Sequence, residues 1–471
     1  MAHAETASGT LRTVRNAAGL RDILGSHQRP AGARTPARPW DRWLLAAIYS
    51  GLNHANVRLR LWDGTSCGPI VEGGVARGAP ETPEITRARV QDHPRAPADP
   101  VATVVIHNRA ALFDLAWQPE IAFGDGYAAG RIDVEGELVA LLGELFRAKP
   151  EADEPSPAMA WLRRVFDPPN ALRQSRNNIH HHYDIGNAFY ELWLDREMVY
   201  TCAYFATPTA TLEEAQIAKM EHVCRKLRLR PGERVIEAGC GWGALARYMA
   251  SRYGVHVRAF NISREQIEYA RERARQEGLA DRVEFIEDDY RNIAGNGAGS
   301  TRLACDAFVS IGMLEHVGRD YFPALSGVID YVLEPDRGRG LLHFIGRNTP
   351  APLHPWIERR IFPGAYPPTL AEVAEGVFAP ARLTILDAEN LRLHYARTLQ
   401  HWLARFEARA GEVTAMFDEA FAYAWRLYLA GSTASFLTGS MQLFQVTFAR
   451  ERDNDIPWTR DYLYTDRKPD W

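Results

Sequence analysis

The sequence predicts an α/β protein, a doubly wound and mostly parallel sheet with helices on both faces, preceded by a smaller α+β domain. Three observations carry that expectation. From about residue 165 onward, apolar strand signals alternate with amphipathic helix signals, the pattern of an open sheet whose crossovers are helices. Within this stretch, R-V-I-E-A-G-C-G-W-G-A-L-A-R-Y-M-A, Arg234 to Ala250, runs from an apolar strand through a glycine-rich turn into a helix. Ahead of it, V-R-L-R-L-W and T-V-V-I-H-N alternate apolar and polar residues as half-buried strands do, and V-E-G-E-L-V-A-L-L-G-E-L-F reads as a helix.

Taken in order, residues 1–39 hold six arginines against Glu5 and Asp22 and finish in a Pro/Gly/Ala-rich run. They read as a flexible basic arm, either without function or in contact with a lipid surface. Residues 40–149 form the small domain, for membrane docking or dimer contact. Residues 150–164 are the linker, opening on the acidic, proline-rich P-E-A-D-E-P-S-P from Pro150 to Pro157. Residues 165–471 form the large domain.

Composition excludes several classes. A net charge of −4 with 24% charged residues lacks the basic excess of a nucleic-acid binder. Cys67, Cys202, Cys224, Cys240 and Cys305 are odd in number, widely spaced and without a C-x-x-C pair. That argues against a disulfide framework or zinc ribbon and for a reducing, cytoplasmic setting. The longest apolar run, Trp43 to Leu52, is too short to span a bilayer. Any lipid substrate is therefore expected to be met from the water side, by a peripheral, transient contact at the inner face of the membrane.

Glycines at 239, 241 and 243 let the backbone turn sharply and approach a ligand beside a helix N-terminus. Such a loop alone is common to many nucleotide-binding folds. The acid before the first glycine, Glu237, and the absence of a P-loop lysine make it resemble the E/D-x-G-x-G loop of class I (Rossmann-like) methyltransferases. The resemblance implies that Glu237, Ala238, Gly239, Cys240, Gly241, Trp242 and Gly243 wrap the aminoacyl part of S-adenosylmethionine. The next strand ends at Asn261, followed by Ile262, Ser263 and Gln266, where the class holds the ribose. Asn261 offers hydrogen bonds there without charge. A third strand end supplies Asp289 and Tyr290, placed to meet an adenine.

Further stretches resemble the cyclopropane-fatty-acyl-phospholipid synthase family, which includes the mycolic acid cyclopropane synthases. They are H-Y-D-I-G-N from His182, Y-T-C-A-Y-F from Tyr200, G-C-G-W-G from Gly239, G-M-L-E-H-V-G from Gly312, L-L-H-F-I-G from Leu341, H-Y-A-R-T-L from His394 and Q-L-F-Q-V-T-F from Gln442. The motifs follow in family order over about residues 165–450, and the N-terminal domain resembles that of the longer bacterial members diffusely. The resemblance implies transfer of a methylene group from S-adenosylmethionine to the cis double bond of an unsaturated phospholipid acyl chain. It places Tyr200 and Thr201 near the cofactor and makes the His182 segment a cover for the site. It also implies a bound bicarbonate ion as base, held by Cys202, Glu315, His343, the backbone N–H of Ile345, and Tyr395.

That chemistry makes demands of its own. An alkene is a weak nucleophile and must be positioned against the methyl group. The resulting carbocation needs shielding from water and is stabilised by aromatic faces. Taken one at a time, the five residues have ordinary explanations: Cys202 as a small buried hydrophobe, His343 as a core histidine, Tyr395 packing on a helix, Glu315 capping or pairing locally. Some bacterial members carry a cysteine ahead of the Q-L-x-Q motif; this chain has Ser432, so no covalent thioether can form at that position.

The run His180-His181-His182 cannot turn three adjacent rings onto one ion, so no metal site is expected. The segment Leu353–Pro380, with Trp356, Ile357, Ile361, Phe362, Tyr366 and Phe378, is a candidate wall or lid for an acyl channel. So is the aromatic helix Phe417–Leu429, though both patterns equally describe core. A methyl-branched or methylated unsaturated product, a small-amine methyltransferase, and a lipid-binding protein without catalysis are the alternatives. A homodimer is compatible with the sequence.

Overall fold

A computed structural model describes residues 35–53, 55–69, 99–148, 185–294 and 304–464. The greater part of the N-terminal arm, the proline-rich linker, the three histidines at 180–182, and Tyr183 and Asp184 lie outside the described residues. The described chain falls into two compact units, one within residues 26–151 and one within 152–471.

The smaller unit carries a four-stranded sheet of order β2-β1-β3-β4, made of β1 (Arg58–Leu61), β2 (Ser66–Cys67), β3 (Ala102–Ile106) and β4 (Ile132–Gly136). Only the β1–β3 pair is parallel. Helices α1 (Pro39–Ser50), α2 (Arg109–Trp117), α3 (Pro119–Ala128) and α4 (Leu138–Ala148) complete it. Leu45, Val57, Leu59, Ile106, Leu112, Ile132 and Leu141 form its core, each such side chain contributing about 1.5–3 kcal/mol. Asp41 is fully buried and receives Arg109 on both oxygens, at 2.9 and 2.7 Å. One expectation needs correcting. The run from Val134 is not helical throughout: Val134 to Gly136 close β4, and the helix begins only at Leu138. Gly136 has φ +112°, a conformation incompatible with a continuous helix.

The larger unit is built on a seven-stranded sheet of order β10-β11-β9-β8-β5-β6-β7. Its strands are β5 (Arg234–Ala238), β6 (His256–Asn261), β7 (Val283–Glu287), β8 (Ala307–Ile311), β9 (Arg339–Gly346), β10 (Leu383–Asn390) and β11 (Gln442–Arg450). β5 to β9 are mutually parallel, and β11 enters antiparallel between β9 and β10. Alternate strand residues feed two cores. Val235, Val257, Phe285, Val309 and Leu341 face one way, onto α6 (Leu212–Lys226), α7 (Ala244–Tyr253) and α8 (Arg264–Gln276), which follow the short α5 (Asn187–Glu191). Ile236, Phe260, Phe308, Leu342, Phe444 and Phe448 face the other, onto α10 (Phe322–Val332), which follows the short α9 (Leu314–Val317). Burial on both faces explains the near-continuous apolar strands of the sequence. The doubly wound, mostly parallel sheet expected from the sequence is what forms.

Two long helices, α11 (Arg392–Ala408) and α12 (Glu419–Thr438), close the unit. The aromatic helix starts two residues later and runs nine further than its sequence pattern suggested. Asp418 caps it, accepting from the N–H of Phe421 at 2.7 Å, and the small residues after Leu429, of which Ala430, Thr433 and Ala434 are buried, do not end it. Trp193 meets Trp402 at 5.7 Å and Trp425 at 6.0 Å, and Phe189 meets Trp425 at 5.0 Å. These contacts make an aromatic block between the two helices and the segment following α5. All five cysteines are free thiols. No helix among the described residues is long and apolar enough to cross a membrane.

Candidate active site

The strand order reverses at β5, whose neighbours β6 and β8 lead to opposite edges of the sheet. Ligands of open α/β sheets bind beyond the strand ends at such a point, and a pocket lies there. Tyr200, Thr201, Glu237, Gly239, Cys240, Gly241, Trp242, Asn261 and Gln266, all expected to meet the cofactor, line it together with Met198, Lys219, Met313 and His316.

The glycines work differently from one another. Gly243 has φ +80°, and a methyl group there would sit 2.6 Å from the Phe285 ring, so this glycine serves helix–sheet packing. Gly241, at φ +53°, has nothing within 4 Å of that position, so its backbone faces open space in the pocket wall. Asn261 stitches the wall. Its Nδ2 donates to the Gly241 carbonyl at 3.3 Å and to Gln266 at 2.6 Å, while its Oδ1 accepts from the Ile262 N–H at 2.8 Å. Trp242 donates from Nε1 to Asn187 at 2.7 Å and packs on Tyr190 at 5.0 Å, joining the loop to the aromatic block.

Other predicted cofactor residues have different surroundings. Ala238 ends β5, and its carbonyl accepts from Ser310 at 2.8 Å. Ser263 caps α8. Asp289 receives Arg291 on both oxygens at 2.8 Å, and Tyr290 lies in the second core. Ala238, Gly243, Ile262, Ser263, Asp289 and Tyr290 are not part of the pocket lining.

Lys219 was not singled out from the sequence. It is buried, and its ammonium donates to the Thr201 hydroxyl at 3.2 Å. Burial pulls it down to about 8, against the opposing pull of Asp195. Burial likewise lifts Glu237 to about 7, with the Lys219 cation opposing, and Glu237 Oε2 is buried without a partner. Asp195 accepts from the N–H groups of Glu197 and Val199 at 3.0 and 2.9 Å, forming the turn in which Met198 takes φ +58°. That turn delivers Tyr200, Thr201 and Cys202.

The five residues of the expected base site come from distant segments. Glu315 stands in α9 just past β8, and its Oε1 accepts from the Ile345 N–H. Its Oε2 is buried and partnerless, and burial raises the carboxyl to about 7 despite that bond. His343 lies two residues before Ile345 on β9, hence on the same face of the strand. Its carbonyl accepts from Gly312 at 2.8 Å, its Nδ1 meets Gln445 at 3.0 Å, and its Nε2 is buried without a partner. Burial, with the Lys219 and Lys226 cations, holds the ring well below the ordinary histidine value. Cys202 is wholly buried and its thiol is pushed up by desolvation. Its sulfur reaches the Leu391 carbonyl at 4.0 Å, the same oxygen that accepts from the Tyr395 N–H at 3.1 Å. Lys219 and Glu389 act electrostatically on both Cys202 and His343.

Of the suggested lid residues, Phe378 packs on Phe448 at 5.1 Å within the second core. Phe362 instead meets Tyr428 edge-on at 5.5 Å, and Tyr428 shares a 2.7 Å hydrogen bond with Tyr200. Tyr366 donates its N–H to the Glu315 carbonyl at 2.8 Å.

A glycine-rich loop at the switch point of such a sheet, with an acid closing the first strand, defines a class I S-adenosylmethionine-dependent methyltransferase. The chain belongs to the family described as mycolic acid cyclopropane synthetase, whose model matches residues 170–446. It is 33% identical to a probable fatty acid methyltransferase of Pseudomonas putida over 87% of this chain and 97% of that protein. It is 38% identical to the cyclopropane-fatty-acyl-phospholipid synthase of Escherichia coli K12, over 58% of this chain and 68% of that one. The solved cyclopropane synthase MmaA2 of Mycobacterium tuberculosis superposes with a TM-score of 0.54 at 30% identity, covering 58% of this chain and 98% of its own.

Proposed function

We propose that this enzyme adds a methylene group to the cis double bond of an unsaturated phospholipid acyl chain, leaving a cyclopropane ring. The observation that carries the reading is the pair of buried, partnerless polar atoms Glu315 Oε2, on the short helix after β8, and His343 Nε2, on β9. A buried polar atom left unpaired costs about 1–3 kcal/mol, so both positions favour a ligand. One is a carboxylate oxygen that accepts, the other a ring nitrogen. An ion offering both an O–H and a charged oxygen, such as bicarbonate, matches a site made of Glu315, His343, Cys202 and Tyr395; the Ile345 N–H, expected to hold the ion as well, is instead given to Glu315 Oε1.

S-adenosylmethionine supplies, when bound, a methyl group on a sulfonium and an ammonium at its aminoacyl end. Gly241 leaves room for that end, and the partnerless Glu237 Oε2 is the acceptor for the ammonium. Bicarbonate, when bound, would supply a base beside the unpaired Glu315 and His343 atoms, where the Cys202 thiol is held protonated by burial. Tyr200, which lines the pocket, packs on Trp402 at 5.3 Å, and Trp402 meets Tyr395 at 6.0 Å, an aromatic neighbourhood suited to an acyl carbocation. The same block excludes water. The lipid is met from the aqueous side.

The near-full-length similarity to a protein named a fatty acid methyltransferase favours a second reading, in which methyl transfer ends in a methyl-branched or methylated unsaturated chain. Mass spectrometry of fatty acids from a host making the enzyme and fed methyl-labelled methionine separates the two. A labelled CH₂ gained with loss of the alkene supports the cyclopropane. A labelled methyl group with the unsaturation kept, or a saturated branch, supports the second, and no labelled lipid sinks both.

A further inference from the structure

One motif of the sequence, Q-L-F-Q, reaches the site only through its second glutamine, Gln445, which is wholly buried. Gln445 stands directly opposite His343 across the β9–β11 pair and directly opposite Glu389 across the β10–β11 pair. His343, Gln445 and Glu389 therefore form one row across three adjacent strands. Lys226, the last residue of α6, is also buried; it donates to Gln445 Oε1 at 3.0 Å and to Glu389 Oε2 at 2.6 Å. His222, one turn earlier on α6, reaches the same Glu389 oxygen at 2.8 Å.

The row has a directional consequence. An ammonium has only donors, so the Gln445 atom facing Lys226 is its carbonyl oxygen. The Gln445 atom facing His343 is then the NH₂ group, which can only donate. At 3.0 Å from it, His343 Nδ1 must accept and can carry no proton. A neutral imidazole has one N–H, so the proton sits on Nε2, the buried nitrogen without a partner.

We propose that Gln445 is a positioning residue which, oriented by Lys226, fixes His343 as its Nε2–H tautomer and so presents a permanent N–H donor to the anion. The donor role toward an anion rests on the bicarbonate reading above; the tautomer assignment does not. Glu389 completes the arrangement. Burial works to raise its carboxyl, but the His222 hydrogen bond and the Lys226 ammonium outweigh it and hold it at about 2. The carboxylate thus stays charged and keeps Lys226 in place.

The experiment is nitrogen NMR of the full-length protein labelled on its histidine rings, with the His343 signals assigned by their loss in His343→Gln. In the wild type, Nε2 should show the protonated, pyrrole-like shift and Nδ1 the pyridine-like shift. Gln445→Glu puts a carboxylate against Nδ1 and should move the proton to it, with kcat falling at least 30-fold and KM for S-adenosylmethionine changing less than twofold. Lys226→Met frees the amide to flip and should give a mixture of tautomers, so the question stays decidable if Gln445→Glu does not fold. A wild-type His343 protonated on Nδ1, or one tautomer throughout all variants, overturns the proposal. The predicted tautomers, with turnover indifferent to removal and return of bicarbonate, would keep the Gln445 role and discard the ion.

Discussion

The ammonium of Lys219 donates to the hydroxyl of Thr201 over 3.2 Å, both residues lining the pocket at the end of β5. It is the nearest compensation for the buried Glu237 carboxylate, whose charge it favours. Lys219→Met should therefore protonate Glu237 near neutral pH and weaken S-adenosylmethionine binding about tenfold, roughly 1.4 kcal/mol. Raising the pH to about 9 should recover part of the loss, because Glu237 then ionises without help. Calorimetric titration at the two pH values checks this. Affinity equal to the wild type at both would remove Lys219 from the cofactor's electrostatics.

The two loop glycines should fail in different ways. Gly243→Ala combines left-handed backbone with a methyl group 2.6 Å from the Phe285 ring, so a stability loss of about 2–4 kcal/mol is expected from strain and overpacking together. Gly241→Ala carries only the backbone strain, about 1–2 kcal/mol, but places its methyl group in the open pocket. Denaturant unfolding should rank Gly243→Ala as the less stable protein. Cofactor titration of the folded variants should show Gly241→Ala losing the more affinity.

Glu315 gives a pH signature. Burial raises its carboxyl from an ordinary 4.5 to about 7, so between those values the folded protein binds a proton that the unfolded chain has released. The stability linked to this group is full below pH 4.5 and is lost as the pH rises through 7. Glu315→Gln cannot titrate, so its melting temperature should fall less than that of the wild type between about pH 5 and 7.5. Parallel melting curves across that range would refute the raised value.

Glu315→Gln and Tyr395→Phe should also leave S-adenosylmethionine binding within about twofold while turnover drops at least 100-fold, the usual scale for loss of acid–base function. Labelled-methyl incorporation alongside calorimetry checks both. Full activity in the two variants would end the assignment of this set to the base site.

The catalytic frame was readable because its signals are local. The apolar strand, the acid and the three glycines are contiguous, and Asn261 does fall at the end of β6. Lys219 was not readable, since a lysine between charged helix residues becomes buried only when α6 packs over the loop after Asp195. Gln445 was visible only as part of a family motif, because His343 and Glu389 are set beside it by the register of three strands far apart in sequence, and Lys226 by the packing of α6. Asp289 was legible as a residue following β7, while its pairing with Arg291, two residues on, was not. The helix expected from Val134 failed on Gly136, whose φ +112° ends a strand there.

Synthesis order gives the insertion of β11 a temporal meaning. Every strand that shapes the cofactor pocket leaves the ribosome before the last strand of the sheet, which slots between β9 and β10 and carries Gln445. A nascent chain can assemble the half that grips the methyl donor, yet its histidine stays free to hold its proton on either nitrogen. On the proposed role of Gln445, the last part of the site to be synthesised is a single strand.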